Sequence, residues 1–271
     1  MRCFRIFISE HELSGDTVVF SAANSRYIFK VLRLKSGDRV TAFDGRDEHM
    51  VRLAHCDRTQ VSGVIVESVS QAPRPNFDLT LAFCCVRPGP MAEILRHGTE
   101  VGVTRFAPIV SRRANRRPAE KKQRWESVVA SACVQSGRAS LPEILFPLAL
   151  EEFVRLNSQA SARIILSTAA QALPLLEVLE ACAPPLDRVE LLIGPEGGFE
   201  PSEEAQALSA GFLRGSLGPN VLRTETAAVV ATAITVAWRQ MNTARRGVVL
   251  RYVEDEGHDT ETPALRSHSG D

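Results

Sequence analysis

The stretch Leu191-Leu192-Ile193-Gly194-Pro195-Glu196-Gly197-Gly198-Phe199 decides how this chain is read. Its apolar start has the character of a buried strand. The Gly-Pro-Glu-Gly-Gly that follows cannot continue one, because proline removes a ladder donor and glycine weakens extended structure. A helix is predicted next, with Pro201 near its first turn and Glu203 and Glu204 just behind. Strand, tight turn and helix make the repeating unit of an α/β fold, and such folds gather ligands at the C-terminal ends of their strands. The turn is neither G-x-G-x-x-G nor a phosphate-cradling P-loop, since no Gly-Lys-Ser/Thr follows. Acids in the first helical turn also oppose a phosphate there, so a neutral or cationic ligand fits better.

The same grammar recurs at Leu217-Gly218-Pro219-Asn220-Val221-Leu222-Arg223-Thr224-Glu225-Thr226-Ala227. A strand gives way to a Gly-Pro loop and then to a helix capped by Thr224 or Thr226. Ala227, Ala231, Ile234, Trp238 and Met241 form that helix's core face. Arg223 and Glu225, at the junction, are either site groups or an ion pair that braces the loop. Working outward, strand-like runs are expected at 78–86, 105–109, 163–167, 189–193 and 212–217, and helices at 91–101, 123–138, 173–182, 202–210 and 225–241. Such alternation predicts a parallel sheet covered on both faces. The first seventy residues read differently. Short strands at 5–8, 17–20, 39–43, 50–54 and 60–67, with one helix at 22–33, suggest a small barrel. The proline-bearing segment Gln71-Ala72-Pro73-Arg74-Pro75-Asn76 separates the two patterns. The expected division is therefore a β-barrel over 1–72, an α/β domain over 73–243 and a disordered acidic tail over 244–271.

The 271 residues carry no net charge, but the charge is unevenly spread. Arg105, Arg112, Arg113, Arg116, Arg117, Lys121, Lys122 and Arg124 crowd one segment against Glu120 alone, while Glu254, Asp255, Glu256, Asp259 and Glu261 make the tail acidic. Clustered arginines neutralise phosphates, although a solvated face reads the same way. None of the six cysteines forms a C-x-x-C pair, so neither a disulfide framework nor a metal site is expected. No signal-peptide pattern opens the chain and no apolar run reaches membrane-spanning length, which points to a cytoplasmic protein without a membrane partner.

Several of these motifs together resemble the RsmE family, the 16S ribosomal RNA uracil-N3 methyltransferases of the SPOUT superfamily. The resemblance covers roughly residues 2–242. It rests on Ile193 to Phe199 with Glu203 or Glu204, on Leu217-Gly218 and on Leu222 to Ala227. Arg5-Ile6-Phe7, Val31-Leu32-Arg33, Gly37-Asp38, Asp44-Gly45, Thr99 to Val103, Pro108 with Ser111 and Arg113, Arg124-Trp125, and Gln135-Ser136-Gly137-Arg138 before Pro142 extend it. Tyr27, His97 and Val134 depart from residues usual in that family.

The resemblance implies a PUA-like β-barrel followed by an α/β domain knotted as a trefoil, with S-adenosyl-L-methionine bound in the knot and the site at a homodimer interface. Cofactor contacts would come from Leu166, Ser167, Ile193, Gly194, Pro195, Glu196, Gly197, Gly198, Leu217, Gly218, Leu222, Thr224 and Ala227. In the reaction, Arg223 would stabilise the developing uracil anion, and Glu196 or Glu225 would accept the N3 proton. RNA, as 16S ribosomal RNA or an assembled small subunit, would meet Arg5, Arg33, Arg112, Arg113, Arg116, Arg117, Arg124 and Arg138. The arginines of the basic segment and the glycine turn, far apart in sequence, are expected to serve separate ligands. Two alternatives are an RNA-binding assembly factor with weak catalysis, favoured by the departures at Tyr27, His97 and Val134, and a knotted methyltransferase acting on another RNA.

Overall fold

The computed structural model describes residues 4–45, 47–69, 77–114, 122–138, 140–156, 158–182 and 186–256. The first part is a six-stranded sheet built from β1 (Phe4–Phe7), β2 (Leu13–Ser14), β3 (Thr17–Val19), β4 (Arg39–Phe43), β5 (Glu48–Cys56) and β6 (Val61–Val69), in the order β1-β4-β5-β6-β3-β2. Only the β1–β4 pair is parallel. The ladder stays open between β1 and β2 among the described residues, so this barrel-like sheet is not closed by hydrogen bonds. Alternate residues point inward, and Ile6, Val18, Val40, Ala42, Val51, Leu53 and Val61 fill its core.

The helix expected over 22–33 is split. An α-helical turn, α1 (Ala22–Arg26), capped by the Ser21 hydroxyl, passes into a π-helical turn over Tyr27–Val31. The latter ends with Leu34 N–H donating to the Ile28 carbonyl and Arg33 in the left-handed region at φ 56.

The second part is a parallel eight-stranded sheet. Its strands are β7 (Asp78–Cys84), β8 (Arg105–Val110), β9 (Glu143–Ile144), β10 (Leu148–Ala149), β11 (Ala162–Leu166), β12 (Leu173–Pro174), β13 (Arg188–Ile193) and β14 (Leu213–Ser216). The order is β10-β8-β7-β13-β11-β14-β12, with β9 also on β8. The continuous apolar character of the central strands follows from burial on both faces. Along β7, Leu79, Leu81 and Phe83 enter the larger core cluster while Ala82 and Cys84 enter the opposite one. On the first face pack α2 (Pro88–Val101), α3 (Lys122–Ser136), α5 (Leu175–Ala181) and α7 (Thr224–Glu256). On the other lie α4 (Leu150–Arg155) and α6 (Pro201–Ser209). From β14, toward one end of the sheet, the chain returns as α7 to pack against α2 near the opposite half.

Helix α7 continues to Glu256, beyond the boundary expected near Thr243. Helix propagates cooperatively from a packed stem, and no proline interrupts it before Pro263. The remainder of the expected tail, and the proline-bearing segment at 71–76, lie outside the described residues.

Two arginines expected on an RNA face are structural instead. Arg5 of β1 pairs with Glu48, stands 4.6 Å over the Phe43 ring, and donates to the Cys133 and Arg138 carbonyls at 3.4 and 3.1 Å, joining the small sheet to α3. Arg138 sends Nη1 to the carbonyls of Thr99 and Val103 at 2.7 and 2.8 Å, placing a cation at the C-terminal end of α2. Burial pushes the thiols of Cys84 and Cys85 up to about 12 and that of Cys133 to about 11, so these cysteines stay protonated at neutral pH.

Candidate active site

Strands β13, β11 and β14 are parallel neighbours, so their C-terminal ends open at one edge of the sheet. The loops that leave them enclose a cleft of about 460 Å³. All thirteen residues expected to hold a cofactor line it: Leu166, Ser167, Ile193, Gly194, Pro195, Glu196, Gly197, Gly198, Leu217, Gly218, Leu222, Thr224 and Ala227. Asn220 and Val221, inside the stretch from Leu217 to Ala227 expected as a cofactor loop, line it too, and so do Thr168, Ala169, Phe199 and Glu204, which were not expected there. Most continue a loop already recognised, so reading each loop one or two residues further would have found them. Glu204 lies deeper, in α6.

The loops hold one another in place. Thr224, at the start of α7 and 1% exposed, donates its hydroxyl to the Gly194 carbonyl at 3.0 Å. Ser167 N–H donates to the Gly215 carbonyl at 2.9 Å, tying the end of β11 to β14. Within the turn, Gly198 N–H donates to the Pro195 carbonyl at 2.8 Å, with Gly198 at φ 67, where a side chain is strained. Gly194 is needed for a different reason: a Cβ there would sit 3.1 Å from the ring of Phe199, which folds back over it.

The acids behind the turn have partners inside the protein. Glu203, 4% exposed, accepts from Glu200 N–H at 2.9 Å and from Arg112 N–H at 2.8 Å. Glu204 pairs with Arg214 at 2.8 Å. Arg112 donates to Glu200 at 3.1 Å and to the Ser202 hydroxyl at 3.3 Å, and Arg113 donates to the Gly197 carbonyl at 2.9 Å. The first arginines of the basic segment, far from the glycine turn in sequence and expected to serve a separate ligand, are thus attached to it. The chain folds β8 and β13 onto β7 from either side, which brings residues 84 positions apart into hydrogen-bond contact.

Of the expected catalytic groups, Glu196 lines the cleft, whereas Arg223 and Glu225 do not. Arg223 is exposed on the adjoining loop. Glu225 is partly buried, and its Oε2 finds no hydrogen-bond partner among the described residues. Among the described residues no lysine, arginine or histidine lines the cleft. Among the residues expected to meet RNA, Arg33 and Arg124 are exposed, and Arg116 and Arg117 lie outside the described residues.

Residues 73–236 match the family described as RNA methyltransferase domain, and residues 20–65 match the RNA methyltransferase PUA domain. A ribosomal RNA small subunit methyltransferase E from Synechocystis is 30% identical over 231 residues, spanning 85% of this chain and 76% of that protein. The chain belongs to this methyltransferase family. A further member, from Aquifex aeolicus, is 29% identical over 84% of this chain and 97% of its own length. The fold class expected from the sequence, a SPOUT-type α/β domain preceded by a PUA-like one, is shared with solved structures of the family's kind. A Neisseria gonorrhoeae ribosomal RNA small subunit methyltransferase E bound to S-adenosyl methionine superposes with a TM-score of 0.76 at 30% identity, covering 86% of this chain and 96% of that one. A methyltransferase of Legionella pneumophila in complex with the same cofactor gives 0.76 at 29% identity, covering 88% and 98%. No helix among the described residues is long and apolar enough to cross a membrane, and no cluster of metal-ligating side chains is found among them.

Proposed function

We propose that this protein transfers a methyl group from S-adenosyl-L-methionine to N3 of a uridine in 16S ribosomal RNA, as a cytoplasmic homodimer. The observation that carries the reading is the cleft: three loops at neighbouring strand ends, two of them glycine-bearing, with no cationic side chain among the described residues that line it. That lining suits a ligand with a neutral adenosine and a positively charged sulfonium, and it disfavours a nucleotide phosphate. Gly197 supports the fit. It has no positive φ, and a Cβ there would meet nothing nearer than Arg113 Cδ at 3.7 Å. Nothing among the described residues forbids a side chain at Gly197, which supports close approach by a ligand as the reason to have none.

When bound, the cofactor supplies an electrophilic methyl group on sulfonium. The chain's share is to orient, to exclude water and to move one proton. Leu166, Ile193 and Leu222 offer apolar contacts for the adenine, and the backbone of 194–198 offers hydrogen bonds. Uracil N3 carries a weakly acidic proton that must leave as the nitrogen becomes nucleophilic. The acceptor is Glu196, in the cleft, or Glu225, whose Oε2 has no partner among the described residues. Arg223 stabilises the anion that develops on the base. Residues 1–72 act as an RNA-binding module and residues 73–243 as the catalytic one. Val221 lines the cleft while remaining 75% exposed, which supports a second subunit closing over the mouth. The experiment is to incubate the purified protein and labelled cofactor with small ribosomal subunits lacking the modification, then map the product. Label at uridine N3 of 16S RNA is expected. Label on another RNA, or none despite cofactor binding, overturns the proposal.

A further inference from the structure

The Gly197–Gly198 peptide is held at both ends. Its N–H, on Gly198, donates to the Pro195 carbonyl at 2.8 Å. Its carbonyl, on Gly197, accepts from Arg113 Nη1 at 2.9 Å. The first bond belongs to the turn itself; the second comes from the loop after β8. Two adjacent glycines have little intrinsic preference for one peptide orientation, so the plane is held by the turn's own bond and, from outside the turn, by Arg113. Arg113 does so with a planar, permanently charged group whose Nε also stands 4.0 Å from Glu200. The Arg113 loop is anchored independently of that side chain, because the neighbouring Arg112 N–H is bound by buried Glu203. Removing the guanidinium therefore loosens the carbonyl end of the peptide without releasing the loop.

We infer that Arg113 is a positioning residue that orients the Gly197–Gly198 peptide for the cofactor and thereby couples cofactor occupancy to RNA held by the basic segment. The inference rests on the proposed function for the identity of both ligands. The coupling follows from the shared side chain. Arg113 remains half exposed, and a guanidinium carries five N–H donors, enough to hold a carbonyl and a phosphate oxygen together. Arg113 already rests on the Gly197 carbonyl, so cofactor bound at the turn favours the position from which its remaining donors meet a phosphate, and a phosphate favours the same position. Linkage makes the effect reciprocal, so cofactor strengthens RNA binding by the factor with which RNA strengthens cofactor binding.

The test is calorimetry of S-adenosylmethionine on the full chain, with and without small-subunit ribosomal RNA, for the parent, Arg113→Ala, Arg113→Lys and Arg105→Ala. Arg113→Ala is expected to weaken cofactor binding about tenfold in a variant that still melts cooperatively, at a temperature lowered by the loss of one charge-assisted hydrogen bond. Arg113→Lys should recover part of the loss, and the exposed Arg105→Ala should stay within about twofold of the parent. The factor by which RNA tightens cofactor binding should fall toward one in Arg113→Ala. Parental cofactor affinity in a folded Arg113→Ala variant overturns the inference, as does equal weakening by Arg105→Ala or an undiminished coupling factor. Should Arg113→Ala unfold, Arg113→Lys alone decides, because parental affinity and coupling without the planar fork would equally overturn it. A parent that binds no cofactor would instead overturn the proposed function, and this inference with it.

Discussion

The turn after β13 and the basic segment after β8 are equally conspicuous in sequence, yet they behave differently once folded. The turn's residues stand where their local pattern puts them, around one cleft. The arginines do not share one role: Arg112 and Arg113 bind the turn and its helix, Arg124 lies exposed on α3, and outside the segment Arg5 and Arg138 are consumed by internal carbonyls. The difference is physical. A glycine-proline turn is specified by backbone conformation, which neighbours in sequence determine. An arginine's role is specified by its acceptor, and the acceptors of Arg5, Arg113 and Arg138 lie 43, 84 and 39 positions away.

The sharpest way to break the comparison is at the turn. Gly198→Val puts a β-branched residue at φ 67 within the cleft lining, a region L-residues enter only at a cost of roughly 1–2 kcal/mol. Cofactor affinity is expected to fall more than about a hundredfold, measured by calorimetry on a variant whose circular dichroism is parental. Retained affinity would mean that this peptide is no part of the cofactor's seat, and the turn would then be as poorly legible as the arginines.

The next effect concerns an arginine taken out of the RNA set. Arg138→Ala removes a half-buried cation from the Thr99 and Val103 carbonyls at the end of α2. Stability should drop by about 2 kcal/mol, because charged hydrogen bonds and the helix end lose their partner together. Denaturant titration measures the drop, and filter binding should find RNA affinity within about twofold of the parent. Unchanged stability with weakened RNA binding would return Arg138 to the RNA face.

These cases also mark what the sequence made legible. The strands β7, β8, β11 and β13 were readable because each is apolar over several residues and bounded by turn signals. The two-residue ladders β2, β9, β10 and β12 were not, since their pairing is imposed by β3, β8 and β14 rather than by their own pattern. Helix α4, Leu150–Arg155, is too short to show a helical period. In the site, Glu204 was read only as an acid behind the turn, because its place on the cleft depends on how α6 packs, whereas Ile193 to Gly198 announced themselves.

A smaller effect tests the small sheet, where a buried acid plays the part that arginine plays at α2. Burial of Glu12 pushes its carboxyl up, but hydrogen bonds from the N–H groups of Ser21 and Ser9, the Asn24 amide and the Ser9 hydroxyl outweigh it, leaving the folded value below the ordinary 4.5. A depressed carboxyl contributes stability that is full above the unfolded value and lost as pH falls through the folded one. The parent should therefore lose more stability than Glu12→Gln between about pH 5 and pH 3, with the variant about 1–2 kcal/mol weaker at neutral pH. Thermal melts across that range check it, and parallel pH profiles would show that the carboxylate's charge is not what holds Ser9, Ser21 and Asn24.

The smallest effect comes from Arg33, and its two readouts should move in opposite directions. Arg33 follows the π-helical turn at φ 56, and the Leu34 N–H to Ile28 carbonyl bond spans it. Glycine is the usual residue at such a helix terminus because it lacks the Cβ that crowds the left-handed region. Arginine there keeps a strained conformation that glycine would relieve, and strain of this kind persists where a side chain is needed for something other than the fold. The side chain is exposed, next in space and sequence to exposed Lys30 and Val31, in the part of the chain that matches an RNA methyltransferase PUA domain. Arg33→Gly should raise stability by about 0.5 kcal/mol, somewhat less than the left-handed penalty because glycine also gains freedom in the unfolded chain. RNA affinity should fall two- to fivefold, with a salt dependence shallower by roughly one phosphate contact. A variant that is more stable and binds RNA as the parent does would leave the strain without a purpose in RNA binding. It would also extend the lesson of Arg5 and Arg138 to the one expected RNA contact whose exposure the backbone itself advertises.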